Sequence, residues 1–469
     1  MTDRLPSGSK RLDEVLGGGL PANAINLVIG PPGSGKTILA EQYLFHNATE
    51  QSPGVFLSTV SEPFDKVLRY GESLDFFDPD ALGTRVFYDD LGSALVTHGI
   101  KGLVDRVDEH LKEFQPGLLV IDSFKAISAF AADEAEFRRF LHDLAGRLTA
   151  VATNAFWIGE YQRRATTEAA EFAVTDSIIA MDTKRSAERE IRVLQVLKLR
   201  GSSFRSGEHA YRIKSSGIDV FPRLADVQET TNYAGGTTRD STGIAALDTA
   251  LGDGYWEGSS TLIVGPTGVG KTLMGLHFAF SAARNGRPAI LATFQENPTQ
   301  LARIAASFGW TLDDPCISVL SRSPVDLYID EWVHDLLDLI DTVGASRVVI
   351  DSLGDIMLAS PDQLRFRELI HSLVQRCTRR RVSLLFTYEV HELFGATRLS
   401  DTSVSNLSDN LVMLQYHRTG TEVRRSLTVL KTRGSAHTPE VREFHISADG
   451  LTLGVPIDAE REWARPTPG

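Results

Sequence analysis

Two tandem α/β domains are the fold this 469-residue sequence predicts, each a mainly parallel sheet flanked by helices with a C-terminal β extension. Three observations carry the prediction. One glycine-rich pattern occurs twice; most of the chain repeats at a nearly constant offset; and apolar strand-like runs alternate with helix-like stretches inside each half.

The pattern is G-x-x-x-x-G-K-[ST], found at Gly30-Pro31-Pro32-Gly33-Ser34-Gly35-Lys36-Thr37 and Gly265-Pro266-Thr267-Gly268-Val269-Gly270-Lys271-Thr272. Each copy follows an apolar run (Ile25 to Ile29, Thr261 to Val264) and precedes a helix-like stretch (Ile38 to His46, Leu273 to Ala283). That strand–loop–helix context separates a phosphate-binding loop from an ordinary glycine turn. Backbone N–H groups at Gly33, Ser34 and Gly35, and at Gly268, Val269 and Gly270, are expected to face a polyphosphate, aided by the positive helix N-terminus. Lys36 and Lys271 would reach the β- and γ-phosphates, and Thr37 and Thr272 would ligate Mg²⁺. The chain is expected to bind nucleoside triphosphate twice.

The repeat covers much more than these loops. Lys36 and Lys271 stand 235 apart, as do Leu12 and Leu247; Glu62 and Glu296 stand 234 apart, Asp122 and Asp351 229, Lys198 and Lys431 233, and Gly217 and Gly450 233. The expected organisation is a first domain over 1–225, a linker over 226–240, a second domain over 241–453 and a short tail over 454–469. The linker contains Thr230-Thr231-Asn232-Tyr233-Ala234-Gly235-Gly236-Thr237-Thr238, which lacks apolar periodicity.

In the first half, strands are expected at Ala24 to Ile29, Gly54 to Thr59, Thr84 to Tyr88, Leu118 to Ile121 and Ala155 to Ile158. Helices are expected at Leu103 to Phe114 and Glu136 to Ala150, followed by strands at Ile191 to Leu199 and Ala210 to Ile213. Alternation implies a parallel sheet with the ligand at the carboxyl ends of its strands.

Further chemistry repeats. Leu118 to Asp122 and Arg347 to Asp351 are apolar strands ending in aspartate, the arrangement that holds Mg²⁺ or its water. The strand after the P-loop helix ends at Ser61-Glu62 in the first half and at Gln295-Glu296 in the second, so Glu62 and Glu296 are the candidates for orienting the attacking water. Lys198 with Arg200, and Lys431 with Arg433, sit at i and i+2 and share a strand face. Two adjacent cations want an anion opposite them. A γ-phosphate on a neighbouring subunit would serve, and local carboxylates are the alternative.

Composition sets limits. The chain is 42% hydrophobic and 23% charged, with a net charge of −13 that argues against general nucleic-acid affinity. Its two cysteines, Cys316 and Cys377, have no metal-site spacing. The N-terminus is polar and no apolar run approaches a membrane span, so a cytoplasmic protein is expected. The cluster Arg376, Arg379, Arg380 and Arg381 reads as a helix C-terminus, with DNA phosphate contact as the alternative. Tyr388-Glu389-Val390-His391-Glu392 fits no metal spacing and reads as a post-strand loop.

These motifs resemble the tandem RecA-like ATPases of the KaiC family. The likeness spans Leu5 to Leu453 and includes Ser7-Gly8-Ser9-Lys10-Arg11-Leu12-Asp13, Gly17-Gly18-Gly19-Leu20, Phe308-Gly309-Trp310, Leu411-Val412-Met413-Leu414-Gln415-Tyr416 and both Lys-x-Arg-Gly-Ser segments. The resemblance implies a two-tiered homohexamer with ATP and Mg²⁺ between protomers. It further implies slow hydrolysis in the first domain and serine/threonine autokinase activity in the second.

Three departures qualify it. One member of each expected glutamate pair is Ser61 or Gln295. The phosphoacceptor pair aligns with Ser405 and Asn406, which leaves Ser405 as the acceptor and Ser408 as a substitute; the first-half counterparts are Phe172 and Ala173. The tail beyond Leu453 is shorter than the family's partner-docking loop, so that partner is not expected. Two other readings stay open: an ATP-assembled scaffold whose output is docking of signalling proteins, and a DNA-recombination ATPase.

Overall fold

The computed structural model describes residues 4–59, 64–161, 169–186, 189–224, 237–325, 327–360, 362–390, 408–419 and 421–457. It divides into two units, residues 1–223 and 224–469.

The first unit runs β1 (Arg4–Leu5), β2 (Leu20–Pro21), β3 (Ile25–Ile29), β4 (Gly54–Ser58), β5 (Val86–Asp90), β6 (Leu118–Asp122), β7 (Asn154–Gly159), β8 (Ser177–Ser186), β9 (Arg189–Leu199), β10 (His209–Lys214) and β11 (Gly217–Phe221). The second runs β12 (Arg239–Asp240), β13 (Tyr255–Trp256), β14 (Ser260–Gly265), β15 (Ala289–Thr293), β16 (Ile317–Ser321), β17 (Arg347–Asp351), β18 (Ser383–Glu389), β19 (Asn410–Thr419), β20 (Glu422–Thr432), β21 (Arg442–Ser447) and β22 (Gly450–Pro456).

Each unit is built on one nine-stranded sheet, β11-β10-β9-β8-β3-β7-β6-β4-β5 and β22-β21-β20-β19-β14-β18-β17-β15-β16, so the two orders are the same. Six strands of each sheet are parallel, β5-β4-β6-β7-β3-β8 and β16-β15-β17-β18-β14-β19, and the pairings beyond β8 and β19 are antiparallel. The α/β class and the tandem RecA-like arrangement are therefore as the sequence predicts.

Period-two alternation assigns the faces. In β3, Val28 packs with Leu39, Tyr43 and Leu44 of the P-loop helix Lys36–Asn47. Leu27 and Ile29 face the other layer, with Leu103, Val107, Leu141 and Leu144. Every residue of β3 is buried, as expected for a parallel strand covered on both faces.

Four differences from the sequence reading have local causes. The helix expected from Leu103 begins at Gly92 and is interrupted at Gly99, whose φ of 63° needs a residue without Cβ. The strand expected at Thr84 to Tyr88 lies at Val86–Asp90. The expected C-terminal β extension contains one strand more: β8, unrecognised in sequence, hydrogen-bonds to β3 and carries β9, β10 and β11 as a continuation of the sheet. Finally, Arg239–Asp240, inside the segment read as linker, pairs with β13, and Asp240 is fully buried against Arg347 (3.2 Å) and Arg287 (2.8 Å). The rest of that segment up to residue 236 lies outside the described residues, as does the tail from 458.

Candidate nucleotide-binding sites

Each P-loop leaves the carboxyl end of its central strand and enters a helix. Gly33 and Gly35 take φ of 73° and 87°, and Gly268 and Gly270 take 70° and 118°. The left-handed conformation explains why glycine is required there. A helix N-terminus with its backbone N–H groups facing the loop gives an anion seat.

Lys36 is buried and donates to the Pro31 carbonyl at 2.7 Å. Burial lowers its pKa, opposed by the charges of Glu160 and Asp122. Lys271, also buried, donates to the carbonyls of Gly265 (2.9 Å) and Pro266 (2.8 Å). Burial lowers its pKa too, opposed by Glu389, Asp351 and Glu296.

Thr37 Oγ1 donates to Asp122 Oδ2 at 2.7 Å, and Thr272 Oγ1 to Asp351 Oδ2 at 2.6 Å. Asp351 also accepts from Thr387 Oγ1. A hydroxyl and a carboxylate oxygen side by side at the loop form the hard-oxygen donor set that suits Mg²⁺. The residues present therefore fit that ion.

Glu296 lies in the same cluster. Its Oε2 accepts from Thr293 Oγ1 at 3.2 Å, and its pKa is raised, first by burial and then by Asp351. Glu62 lies outside the described residues, as does Ser405. Ser408 is buried, and its carbonyl accepts from Lys431 Nζ at 2.6 Å.

In the first unit a cavity of about 630 Å³ opens beside the loop, lined by Gly33, Lys36, Thr37, Tyr70, Ile213 and Lys214. That size accepts a base and sugar next to the phosphate seat. A second, of about 460 Å³, lies against Gly30, Pro31 and Pro32, with Lys125, Glu160 and Tyr161.

The paired cations sit elsewhere. Lys198 Nζ donates to the Phe172 carbonyl at 2.9 Å; Arg200 reaches the Ala173 carbonyl at 3.2 Å and Asp176 at 3.4 Å. Arg433 lies 3.7 Å from Asp409. The Arg200 N–H donates to the Asp176 carbonyl and the Asp176 N–H to that of Ile25, while Arg433 connects through Asp409 to Ser260 in the same way. Both arginines therefore stand at the amino ends of β3 and β14, and the lysines lie in register with Leu27 and Leu262, whereas the P-loops leave the carboxyl ends. Five residues of strand separate the level of each arginine from its own P-loop, roughly 16 Å. The lysines carry lowered pKa values, from burial and then from the adjacent Arg200 or Arg433.

Two features were missed in the sequence. Glu160 and Glu389 face the P-loop lysines, and Gln42 and His277 anchor the C-terminal hairpins. The signal was the repeat itself: Glu160 and Glu389 are 229 apart, like Asp122 and Asp351, and Gln42 and His277 are 235 apart, like the lysines. The basic cluster closes the helix Gln363–Arg379, and Arg380 pairs with Asp341 at 3.0 Å. No helix among the described residues is long and apolar enough to cross a membrane.

Comparison with known proteins agrees with the repeated α/β fold. The family model for the KaiC ATPases matches residues 5–225 and again 241–456. The chain is 30% identical to the circadian clock protein KaiC3 of Synechocystis sp., covering 97% of this chain and 92% of that one. It is 28% identical to the circadian clock oscillator protein KaiC of Picosynechococcus sp. (94% and 88% covered) and 29% identical to that of Prochlorococcus marinus (95% and 91%).

Proposed function

Because the chain belongs to the KaiC family of P-loop ATPases, we propose that it is a ring-forming enzyme that binds and hydrolyses ATP at two tiers of sites, each completed by the adjacent subunit. The observation that carries this reading is the identical Lys–Thr–Asp constellation at both loops, Lys36, Thr37 and Asp122 against Lys271, Thr272 and Asp351.

In this reading the two lysines hold the β- and γ-phosphates, and Thr37 with Asp122, and Thr272 with Asp351, hold Mg²⁺. When bound, that ion neutralises charge developing on the phosphates. Glu296 orients the attacking water, and Glu62 does so in the first unit by its place in the repeat. A carboxyl group whose pKa burial has raised is better suited to take a proton.

Lys198 and Arg200, and Lys431 and Arg433, serve the γ-phosphate of a neighbouring copy. The position of Arg200 and Arg433 at the far end of the sheet from their own loops supports this, since a phosphate held by the protomer's own loop lies beyond their side-chain reach. ATP thereby becomes the link between protomers, and a homohexamer is the expected assembly.

In the second tier the γ-phosphoryl group passes either to water or to Ser405, whose hydroxyl is the family's acceptor position kept in this chain. The output is regulatory: a slow ATP-driven change of state read by signalling partners, as the clock relatives' names suggest. Incubation with γ-labelled ATP tests it. Released phosphate and label at Ser405, both lost in the Lys36→Ala, Lys271→Ala double variant, are expected. ATP-dependent assembly with neither product would leave a scaffold instead.

A further inference from the structure

The carboxylate of Glu389, the last residue of β18, lies 3.6 Å from Nζ of Lys271. The same ammonium donates to the carbonyls of Gly265 and Pro266, so all three contacts draw it to the start of the loop. Sheet register fixes the acid there: Gly265 is paired with Glu389, and the Val390 N–H donates to the Gly265 carbonyl at 3.2 Å. The first unit repeats the arrangement. β7 pairs with β3 up to Gly159 beside Ile29, which puts Glu160 next to Gly30, and Glu160 is the leading charge that opposes the effect of burial on Lys36.

Neither metal binding nor water activation needs this carboxylate. Thr272 and Asp351 supply the hard oxygens, and Glu296 stands beside Asp351. A buried lysine without a counter-charge is costly, however, and the side chain of Lys271 is only 9% exposed. Glu389 meets that need when no phosphate is present. A triphosphate claims the same ammonium and brings several negative charges up to the carboxylate. Two anions then compete for one cation, and Glu389, 40% exposed, can turn to solvent.

We propose that Glu389 is a built-in stand-in for the triphosphate: it holds Lys271 until nucleotide enters the second site, must then yield it, and so sets the affinity of that site for ATP. This rests on the reading of the second P-loop as an ATP site. Glu389 acts through Lys271 and is a positioning residue.

The test uses the full chain with Lys36→Ala silencing the first loop, titrated with a fluorescent ATP analogue and Mg²⁺. Glu389→Gln, which keeps the shape and removes the charge, is expected to tighten binding roughly tenfold, equal to about 1.4 kcal/mol. Glu389→Asp, which keeps the charge, is expected to stay within about twofold of the parent. A purely structural glutamate would not tighten binding when neutralised. Unchanged or weaker binding in a folded Gln variant overturns the proposal, as does a fall in kcat with KM unmoved, which would put Glu389 in the chemistry. If Gln does not fold, an Asp variant that tightens binding overturns it equally. A parent that binds no nucleotide overturns the ATP reading along with it.

Discussion

The Leu451 N–H donates to His277 Nε2 at 2.9 Å, tying the β21–β22 hairpin to the P-loop helix Lys271–Ala283 of the second unit. In the first unit the Ile218 N–H donates to Gln42 Oε1 at 2.8 Å across the corresponding seat. The glycine before each donor cannot carry a side chain: a Cβ on Gly450 would lie 2.6 Å from the His277 ring, and one on Gly217 2.4 Å from Gln42 Oε1. The hairpin in turn packs Ile446 beside Gly270 of the loop. One acceptor is titratable and the other is not.

His277 accepts through Nε2 only while that nitrogen is unprotonated. Burial pushes its pKa down from the ordinary 6.5 to about 4. The unfolded chain takes up its proton near pH 6.5 and the folded one only near 4. Between those values the unfolded state binds more protons, so stability falls as pH is lowered, by about 1.4 kcal/mol per unit and up to about 3 kcal/mol in all. Above pH 6.5 the stabilisation is complete. Urea unfolding of the second unit at pH 7 and pH 5 should show this loss, and His277→Gln, copied from the first unit, should reduce it.

Asp351 joins the P-loop threonine to the strand carrying it, and Thr387 holds its other oxygen. Asp351→Asn keeps these hydrogen-bonding shapes and removes the charge. Phosphate release from the second site should fall about a hundredfold or more, with a smaller change in nucleotide affinity. Steady-state kinetics in a Lys36→Ala background isolates the effect.

Asp240 and Arg347 form a buried pair, 0% and 3% exposed at the side chain. Arg347 Nη1 also donates to the carbonyls of Ser241 (2.8 Å) and Phe278 (2.7 Å). Asp240→Ala leaves a buried guanidinium without its counter-charge and should cost about 3–5 kcal/mol. Calorimetry of the second unit measures it. The first unit has Leu118 at the position matching Arg347, so an Asp240→Leu, Arg347→Leu double variant should recover most of the loss.

The legible parts of the fold and site were those whose signal is local. Lys36 and Thr37 follow the glycines within one loop, and Asp122 ends an apolar run, so spacing alone located them. β8 was missed because its apolar half, Ser177 to Met181, gives way to a polar one, Asp182 to Ser186, with no turn signal between. Glu389 reads as loop in the sequence because its meaning comes from β18 lying beside β14, a pairing across more than a hundred residues. Asp240 reads as linker for the same reason, since Arg347 lies on another strand. The direction of Lys198 and Arg200 was legible from their spacing, but the level at which they sit came only with the register of β8 and β9.

The central claim is that Lys431 and Arg433 complete the site of another copy. Arginine fingers of this kind contribute about a thousandfold or more to turnover. In a Lys36→Ala background, Lys271→Ala and Arg433→Ala proteins should each be inactive at the second site. Mixing them under conditions that allow subunit exchange should restore phosphate release, because an intact loop from one meets intact cations from the other. Mixtures that stay as inactive as their components, with exchange verified, would contradict the account.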